Sequence, residues 1–211
     1  MSKRRSSSGK KDKYHVLDEK TKEAHKKGFV ARSIFKLEEI DQRVRLYRRG
    51  MRVLDLGSAP GSWMQYAAEK VNGKETSYVL GLDIVPLNIA LSPCMDFVEG
   101  DLFDAKACHE SILERSDLPF DLVQSDAMVK TTGIVDQDCA RSIDLVESSL
   151  RLVKSNLLKE DGAFIAKIFE GPGFEVFMKD FRMTFKKSKV YKPEAIRKGS
   201  RECYLYGVGL R

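Results

Sequence analysis

Three charged residues stand at positions where an apolar core gains nothing from them. Asp126 follows the apolar run PFDLV at 119–123, Lys167 interrupts AFIAKIFEG at 163–171, and Glu202 opens ECYLYGVGL at 202–210. A lysine inside a strand is costly to bury unless a carboxylate answers it. An amine flanked by carboxylates can orient a hydroxyl, help remove its proton and steady the charge that develops on its oxygen.

A second set of residues has the spacing of a nucleoside site. The run MRVLDLG at 51–57 ends in Asp55, Leu56 and Gly57, and the following SAPGSW lets a ligand approach backbone N–H groups where the next helix begins near Gly61. Asp83, at the end of the next apolar run, is placed to accept both hydroxyls of a ribose. In VEGDL, Asp101 offers adenine a polar edge and Leu102 an apolar face. The loop reads S-A-P-G from Ser58 to Gly61, lacking the third glycine of G-x-G-x-x-G, and no G-x-x-x-x-G-K-[ST] occurs. A nucleoside cofactor that needs no pyrophosphate cradle fits better than NAD.

For these residues to meet, strand ends must gather at one edge of a sheet. Apolar runs starting at 51, 77, 95, 119 and 162 alternate with stretches around 61–70, 105–115 and 136–158 that can supply crossover helices. In the last stretch Ile143, Val146, Leu150, Val153 and Leu157 recur at three- and four-residue intervals. The pattern predicts an α/β fold with a doubly wound, mostly parallel sheet. SKVYKP and ECYLYGVGL are separated by EAIRKGSR, too short for a crossover helix, so the last strand is expected to be antiparallel. Its start then lies beside the ends of the parallel strands, and Asp126, Lys167 and Glu202 converge. Ahead of the sheet, KTKEAHKKGFVARSIFKLEEIDQRV predicts one or two helices with Phe29, Ile34, Leu37 and Ile40 as apolar positions.

The 211 residues suffice for one core, divided here into a basic, partly disordered tail over 1–27 and a single domain over 28–211. Residues 1–49 hold 16 Lys+Arg against 7 Asp+Glu, residues 50–178 hold 11 against 21, and residues 179–211 hold 10 against 3. Basic flanks around an acidic middle suit a polyanion. Lys26, Lys27, Arg32, Arg197, Lys198 and Arg201 are the candidate phosphate contacts. Cys94, Cys108, Cys139 and Cys203 form no CxxC, which argues against structural zinc, and no metal is expected. Neither a signal-peptide pattern nor an apolar run of membrane-spanning length occurs, which points to a soluble protein of the reducing cytoplasm with no membrane partner.

ARSIFKLEEID with Lys36, VLDLGSAPGSWMQY, GLDIVP, VEGDLFD, SDAM, GAFIAKIFEG and RKGSRECYLYGVG together resemble the FtsJ-type (RrmJ-type) ribose 2'-O-methyltransferases of RNA, over roughly residues 28–211. The resemblance implies a Rossmann-like methyltransferase fold, S-adenosyl-L-methionine as cofactor, and ribosomal RNA or the large ribosomal subunit as partner of a monomeric enzyme. The expected target is a ribose 2'-hydroxyl of a uridine in large-subunit (23S) ribosomal RNA. It implies a catalytic tetrad of Lys36, Asp126, Lys167 and Glu202, and a cofactor loop of Gly57, Ala59, Pro60, Gly61 and Trp63. Asp83 is implied at the cofactor ribose and Asp101 at its adenine, with Leu102 and Asp126 beside them. Within the tetrad, Lys167 acts either as a neutral base or as a charged group that orients the hydroxyl while the proton passes to water or Asp126. Bacterial members read SDMAPNxSG where this chain reads SDAMVKTTG, which lacks the Pro-Asn pair and keeps Asp126 and Gly133. Two neighbouring alternatives are a tRNA or other RNA substrate and a catalytically silent RNA-binding member of the fold. SDAM lacks the aromatic-flanked NPP-like loop of amino-group methyltransferases.

Overall fold

The computed structural model describes residues 11–116, 119–197 and 199–211, with side chains from residue 19 onward. The first ten residues of the expected tail, and Lys198, lie outside the described residues. The apolar runs form β1 (Arg52–Leu56), β2 (Tyr78–Asp83), β3 (Met95–Glu99), β4 (Phe120–Ser125) and β5 (Leu158–Phe169), followed by β6 (Phe185–Tyr191) and β7 (Glu202–Leu210). They make one sheet of order β3-β2-β1-β4-β5-β7-β6. β3, β2, β1, β4 and β5 pair in parallel, while β7 inserts between β5 and β6 antiparallel to both. Strand order reverses between β1 and β4, so the crevice for a ligand opens beyond the carboxyl ends of those two strands.

Helices α1 (Lys11–Lys26), α2 (Ile34–Val44), α3 (Ser62–Val71), α4 (Ala105–Arg115), α5 (Val135–Leu152) and α6 (Phe174–Thr184) pack around the sheet. One face of the sheet buries Leu54, Leu80, Phe164 and Ile168 with Ile112 of α4, Leu150 of α5 and Phe181 of α6. The opposite face buries Val53, Ile165 and Tyr204 with Ile34, Leu37 and Ile40 of α2 and Trp63 and Met64 of α3. Each such apolar side chain contributes about 1.5–3 kcal/mol when fully buried, so both helical layers are held mainly by these contacts. Among the described residues no helix is long and apolar enough to cross a membrane.

Three elements refine the sequence expectation. α1 occupies most of the stretch assigned to the basic tail, and its Ala24 is fully buried in the second core. The stretch around 136–158 is not one helix: α5 ends at Leu152, a π-turn follows, and Asn156 at φ 67 breaks the spiral so that β5 begins at Leu158. Between β5 and β6 the chain also inserts α6, whose Phe174, Phe177, Met178 and Phe181 recur at helical spacing and are all buried.

Candidate active site

The four charged residues meet because each is fixed by a different element. At the start of α2 the Ser33 hydroxyl lies 2.9 Å from that of Ser62, and Trp63 Nε1 donates to the Ser33 carbonyl at 3.2 Å. With Ile34, Leu37 and Ile40 buried, the remaining face of the first turn turns Lys36 toward β7, where its Nζ is 2.5 Å from Glu202 Oε1. On the sheet, Lys167 pairs with Tyr204 and Phe169 with Glu202, so Lys167, Tyr204 and Glu202 share one face. β4 ends at Ser125, which leaves Asp126 as the first residue of the loop above it. Lys167 Nζ donates to the Asp126 carbonyl at 2.6 Å and lies 3.1 Å from its Oδ1.

Tyr204 joins the two halves of this arrangement. Its hydroxyl is 2.8 Å from Asp126 Oδ1 and 2.7 Å from Glu202 Oε1, so one phenolic proton bridges two carboxylates. Burial first, then the charges of Asp126 and Glu202, push its pKa well above the ordinary tyrosine value, which keeps it a donor. Its ring stacks on Trp63 with centroids 5.8 Å apart. The result is a continuous chain, Lys36–Glu202–Tyr204–Asp126–Lys167, in which a neutral hydroxyl lies between two carboxylates and each carboxylate is backed by a lysine. Sequence inspection passed over Tyr204, although a residue two positions after Glu202 in a strand must share its face.

A cavity of about 860 Å³ runs from this chain along the ends of β1, β2 and β4, with Asp126 and Lys167 in its wall. Gly57, Ala59, Pro60, Asp83, Asp101 and Leu102 line it, as the sequence led us to expect. Asp83 accepts the N–H groups of Ala59 at 2.9 Å and Val85 at 3.0 Å, so its carboxylate is held at the lip of β2. Asp101 is held in the same way by the N–H of Phe103 at 2.9 Å. Gly57, at φ 73, is irreplaceable for packing reasons: a Cβ there would stand 2.5 Å from Cα of Ala127. Gly61 and Trp63 stand behind the wall, Gly61 at the N-terminus of α3 and Trp63 buried beneath Tyr204. Apolar groups that the sequence did not single out, Ile84, Val85, Phe103 and Met128, complete the walls although each is exposed. Carboxylates at the lip between apolar walls fit a nucleoside, with hydroxyls or an exocyclic amine for the acids and a flat base between the hydrophobic side chains.

The altered loop has its own anchor. Asp138 of α5 accepts Thr132 N–H at 2.7 Å, Thr132 Oγ1 at 2.9 Å and Gly133 N–H at 3.1 Å. The Thr132 N–H bond is the largest influence holding the Asp138 carboxyl below its usual range. These bonds from Thr132 and Gly133 order the end of the loop that follows Asp126. Lys130 and Arg141 stand at the cavity wall, with Arg141 donating to the Lys130 carbonyl at 3.4 Å.

The candidate phosphate contacts divide by position. Arg32 lies close enough to Arg197 and Glu202 to feel both; its pKa is lowered, by burial first and then by Arg197. Exposed Arg201 precedes Glu202 on the other side of the tetrad. Lys26 is exposed at the end of α1, and Lys27 is engaged with Glu38 at 3.4 Å and lies over the Phe35 ring. Arg32 therefore stands near Arg197 and Glu202, Arg201 adjoins Glu202 in sequence, and Lys26 and Lys27 lie at the end of α1 and just beyond it.

Residues 29–210 match the family described as FtsJ-like methyltransferase. A protein of Desulfatibacillum aliphaticivorans named ribosomal RNA large subunit methyltransferase E is 43% identical over 200 residues, spanning 95% of this chain and 94% of its own. A protein of the same name from Bdellovibrio bacteriovorus is 40% identical, over 92% of this chain and 97% of its own. Among solved structures, a Plasmodium falciparum chain described as a ribosomal RNA methyltransferase superposes with TM-score 0.75 at 22% identity, covering 85% of this chain and 97% of that one. Human methyltransferase-like protein 13 in complex with SAH gives TM-score 0.58 at 19% identity, covering 82% of each chain, which supports the shared fold.

Proposed function

Because the chain belongs to the FtsJ-like methyltransferase family, we propose that it methylates a ribose 2'-hydroxyl of large-subunit (23S) ribosomal RNA, at a uridine, using S-adenosyl-L-methionine. The observation that carries this reading is the Lys36–Glu202–Tyr204–Asp126–Lys167 chain, whose Asp126 and Lys167 line a cavity shared with Asp83 and Asp101. The names of the relatives support the substrate class. The work is that of a monomer in the cytoplasm, on ribosomal RNA or the large subunit.

Asp83 would hold the cofactor's ribose, Asp101 and Leu102 its adenine, and the loop from Gly57 to Pro60 its amino-acid portion. Bound there, the cofactor supplies a methyl group already activated by its sulfonium, so no metal is needed. What remains for the protein is alignment of the attacking oxygen and disposal of one proton. Lys167, at the cavity wall, orients the 2'-hydroxyl. Held by two oxygen contacts to Asp126, it would in its charged role meet negative charge as it develops on the ribose oxygen. Asp126 Oδ2 takes part in none of the bonds described above and is the acceptor through which the proton leaves, directly or by water. Lys36 and Glu202 position the ribose, and Arg32, Arg197 and Arg201 take phosphates on either side.

The test is methyl transfer to ribosomal RNA and to the same RNA carrying deoxyribose at the modified nucleotide. Transfer to the first and none to the second is expected. Equal transfer to both would place the methyl group on a base and overturn the 2'-O assignment.

A further inference from the structure

The sheet does not lose its helical cover evenly. α6 packs on one face of β6 and β7, burying Phe181 and Phe185. On the other face, β7 is buried as far as Tyr204, after which burial alternates: Leu205 and Gly207 are buried, while Tyr206 and Val208 are half-exposed. Lys189 is registered opposite Tyr206, and Lys187 opposite Val208. By strand alternation these lysines stand on that same open face together with Tyr191. The rings of Tyr191 and Tyr206 are 6.1 Å apart at 66°, and both are half-exposed.

Three cations accompany these rings. Lys187 and Lys189 are exposed, and among the described residues neither is in an ion pair. Arg48, also exposed, lies close enough to Tyr206 to oppose the upward shift of its phenol. Lysines on an edge strand discourage strand-to-strand association. That role does not explain two tyrosines beside them on an open face. Aromatic rings among unpaired cations are the combination that receives single-stranded RNA, with bases on the rings and phosphates on the cations. The position also suits the reaction: Tyr206 follows Tyr204 by two residues, about 7 Å along the strand, so the face continues directly from the catalytic chain.

We propose that the RNA flanking the target nucleotide runs unpaired across the open face of β6 and β7, stacking a base on Tyr191 and Tyr206 and placing phosphates at Lys187, Lys189 and Arg48. This rests on the RNA substrate argued above. The protein would then hold its substrate at two places, the catalytic mouth and this sheet face.

The experiment measures binding of naked 23S ribosomal RNA, and of single-stranded polyuridylate, across a salt series. For the double variant Lys187→Gln with Lys189→Gln, affinity should fall about tenfold. The slope of log affinity against log salt should shrink by about 1.4, two contacts at about 0.7 each for a single strand. Cofactor affinity and turnover at saturating RNA should stay within about twofold, so the defect appears in KM and not in kcat. Tyr191→Leu should weaken both RNAs, and Tyr191→Phe should restore them, because a π-face is required and a hydroxyl is not. An unchanged salt slope in the double variant would overturn the proposal and leave the lysines as edge protection. Absence of RNA methylation by the wild type would instead sink the proposed reaction, while the binding slopes would still decide the surface.

Discussion

β4 and β5 carry an aspartate–lysine pair at each end. At the lower edge Lys159 is 2.6 Å from Asp121, and at the upper edge Lys167 is 3.1 Å from Asp126. The shorter pair is the more exposed: the Lys159 side chain is 39% accessible and that of Lys167 is 7%. Asp121 also accepts the N–H of Arg52 at 2.8 Å, so the lower pair ties strand starts together in contact with water. Such a pair is worth about 0–1 kcal/mol. The upper pair gives up its hydration, and burying an ion pair costs as much as the attraction returns, or more. Its surroundings differ in kind: Tyr204, Glu202, Lys36 and a cavity. Two chemically identical pairs on the same two strands therefore do different work, and burial beside a cavity separates them better than distance does.

The sharpest way to break this comparison is to remove both lysines in turn. Lys167→Ala should lower single-turnover methyl transfer by about 10²–10³-fold, the range for loss of a preorganised donor to a developing oxyanion, and leave cofactor affinity intact. Lys159→Ala should leave the rate within about twofold. Lys167→Arg separates the two roles available to this lysine. Retained activity would mean that charge suffices; a dead variant would restore the neutral-base role, or show that a planar guanidinium does not fit. Equal effects at Lys159 and Lys167 would abolish the distinction.

How far the site could be read in advance follows the same division. The convergence of Asp126, Lys167 and Glu202 was legible because each interrupts or ends an apolar run, and a short connection made β7 antiparallel. The strand-end positions of Asp83 and Asp101 were legible from the alternation of strands and helices. Tyr204 was hidden because tyrosine is ordinary in a strand, and only its register opposite Lys167 gives it a task. The apolar walls from Ile84, Val85, Phe103 and Met128 come from loops, where periodicity carries no information. The end of α5 was misplaced because Val153 and Leu157 continue the helical spacing and are both buried, although the backbone has already turned at Asn156. α6 was not legible from strand-end residues, because its Phe174, Phe177, Met178 and Phe181 only pack and carry no chemistry.

Asp83 extends the comparison to a carboxylate held by backbone N–H groups with no lysine. Asp83→Ala should weaken S-adenosylmethionine binding by about 10–150-fold, the equivalent of about 1.5–3 kcal/mol for charge-assisted bonds. Calorimetry checks this directly. Unchanged affinity, with the fold intact by circular dichroism, would remove Asp83 from the cofactor site.

Tyr204→Phe tests the link between the two halves of the catalytic chain. The ring stays on Trp63, and only the proton bridging Asp126 and Glu202 is lost. A fall in kcat of about tenfold is expected, from a hydrogen bond to charged groups worth about 1.5–3 kcal/mol of which part is recovered by rearrangement. Cofactor affinity should hold, and the pH–rate profile should move, since the two carboxylates then face each other without a shared donor. A lower melting temperature with an unmoved profile would make Tyr204 a packing residue and nothing more.

The smallest effect, with a definite sign, belongs to a carboxylate that has no lysine. Asp55 sits one strand away on β1, fully buried and opposite Gln124 in register, a neighbour whose side-chain amide acts to lower its pKa without overcoming the effect of burial. Burial is the largest influence raising its pKa well above the ordinary carboxylate value, with Asp126 and Asp83 adding to it. A carboxyl whose folded pKa is raised binds more protons in the native state than in the unfolded chain, so it subtracts stability as pH rises from about 4, the ordinary aspartate value, toward its folded value. Asp55→Asn removes that dependence while keeping the shape. The melting temperature of the variant relative to wild type should therefore climb between pH 4 and pH 8, with the gain largest at the alkaline end. A difference that shrinks over the same interval would mean that Asp55 is ionised in the folded protein, and that the interior of β1 holds a carboxylate charge without the lysine that β4 needs at both ends.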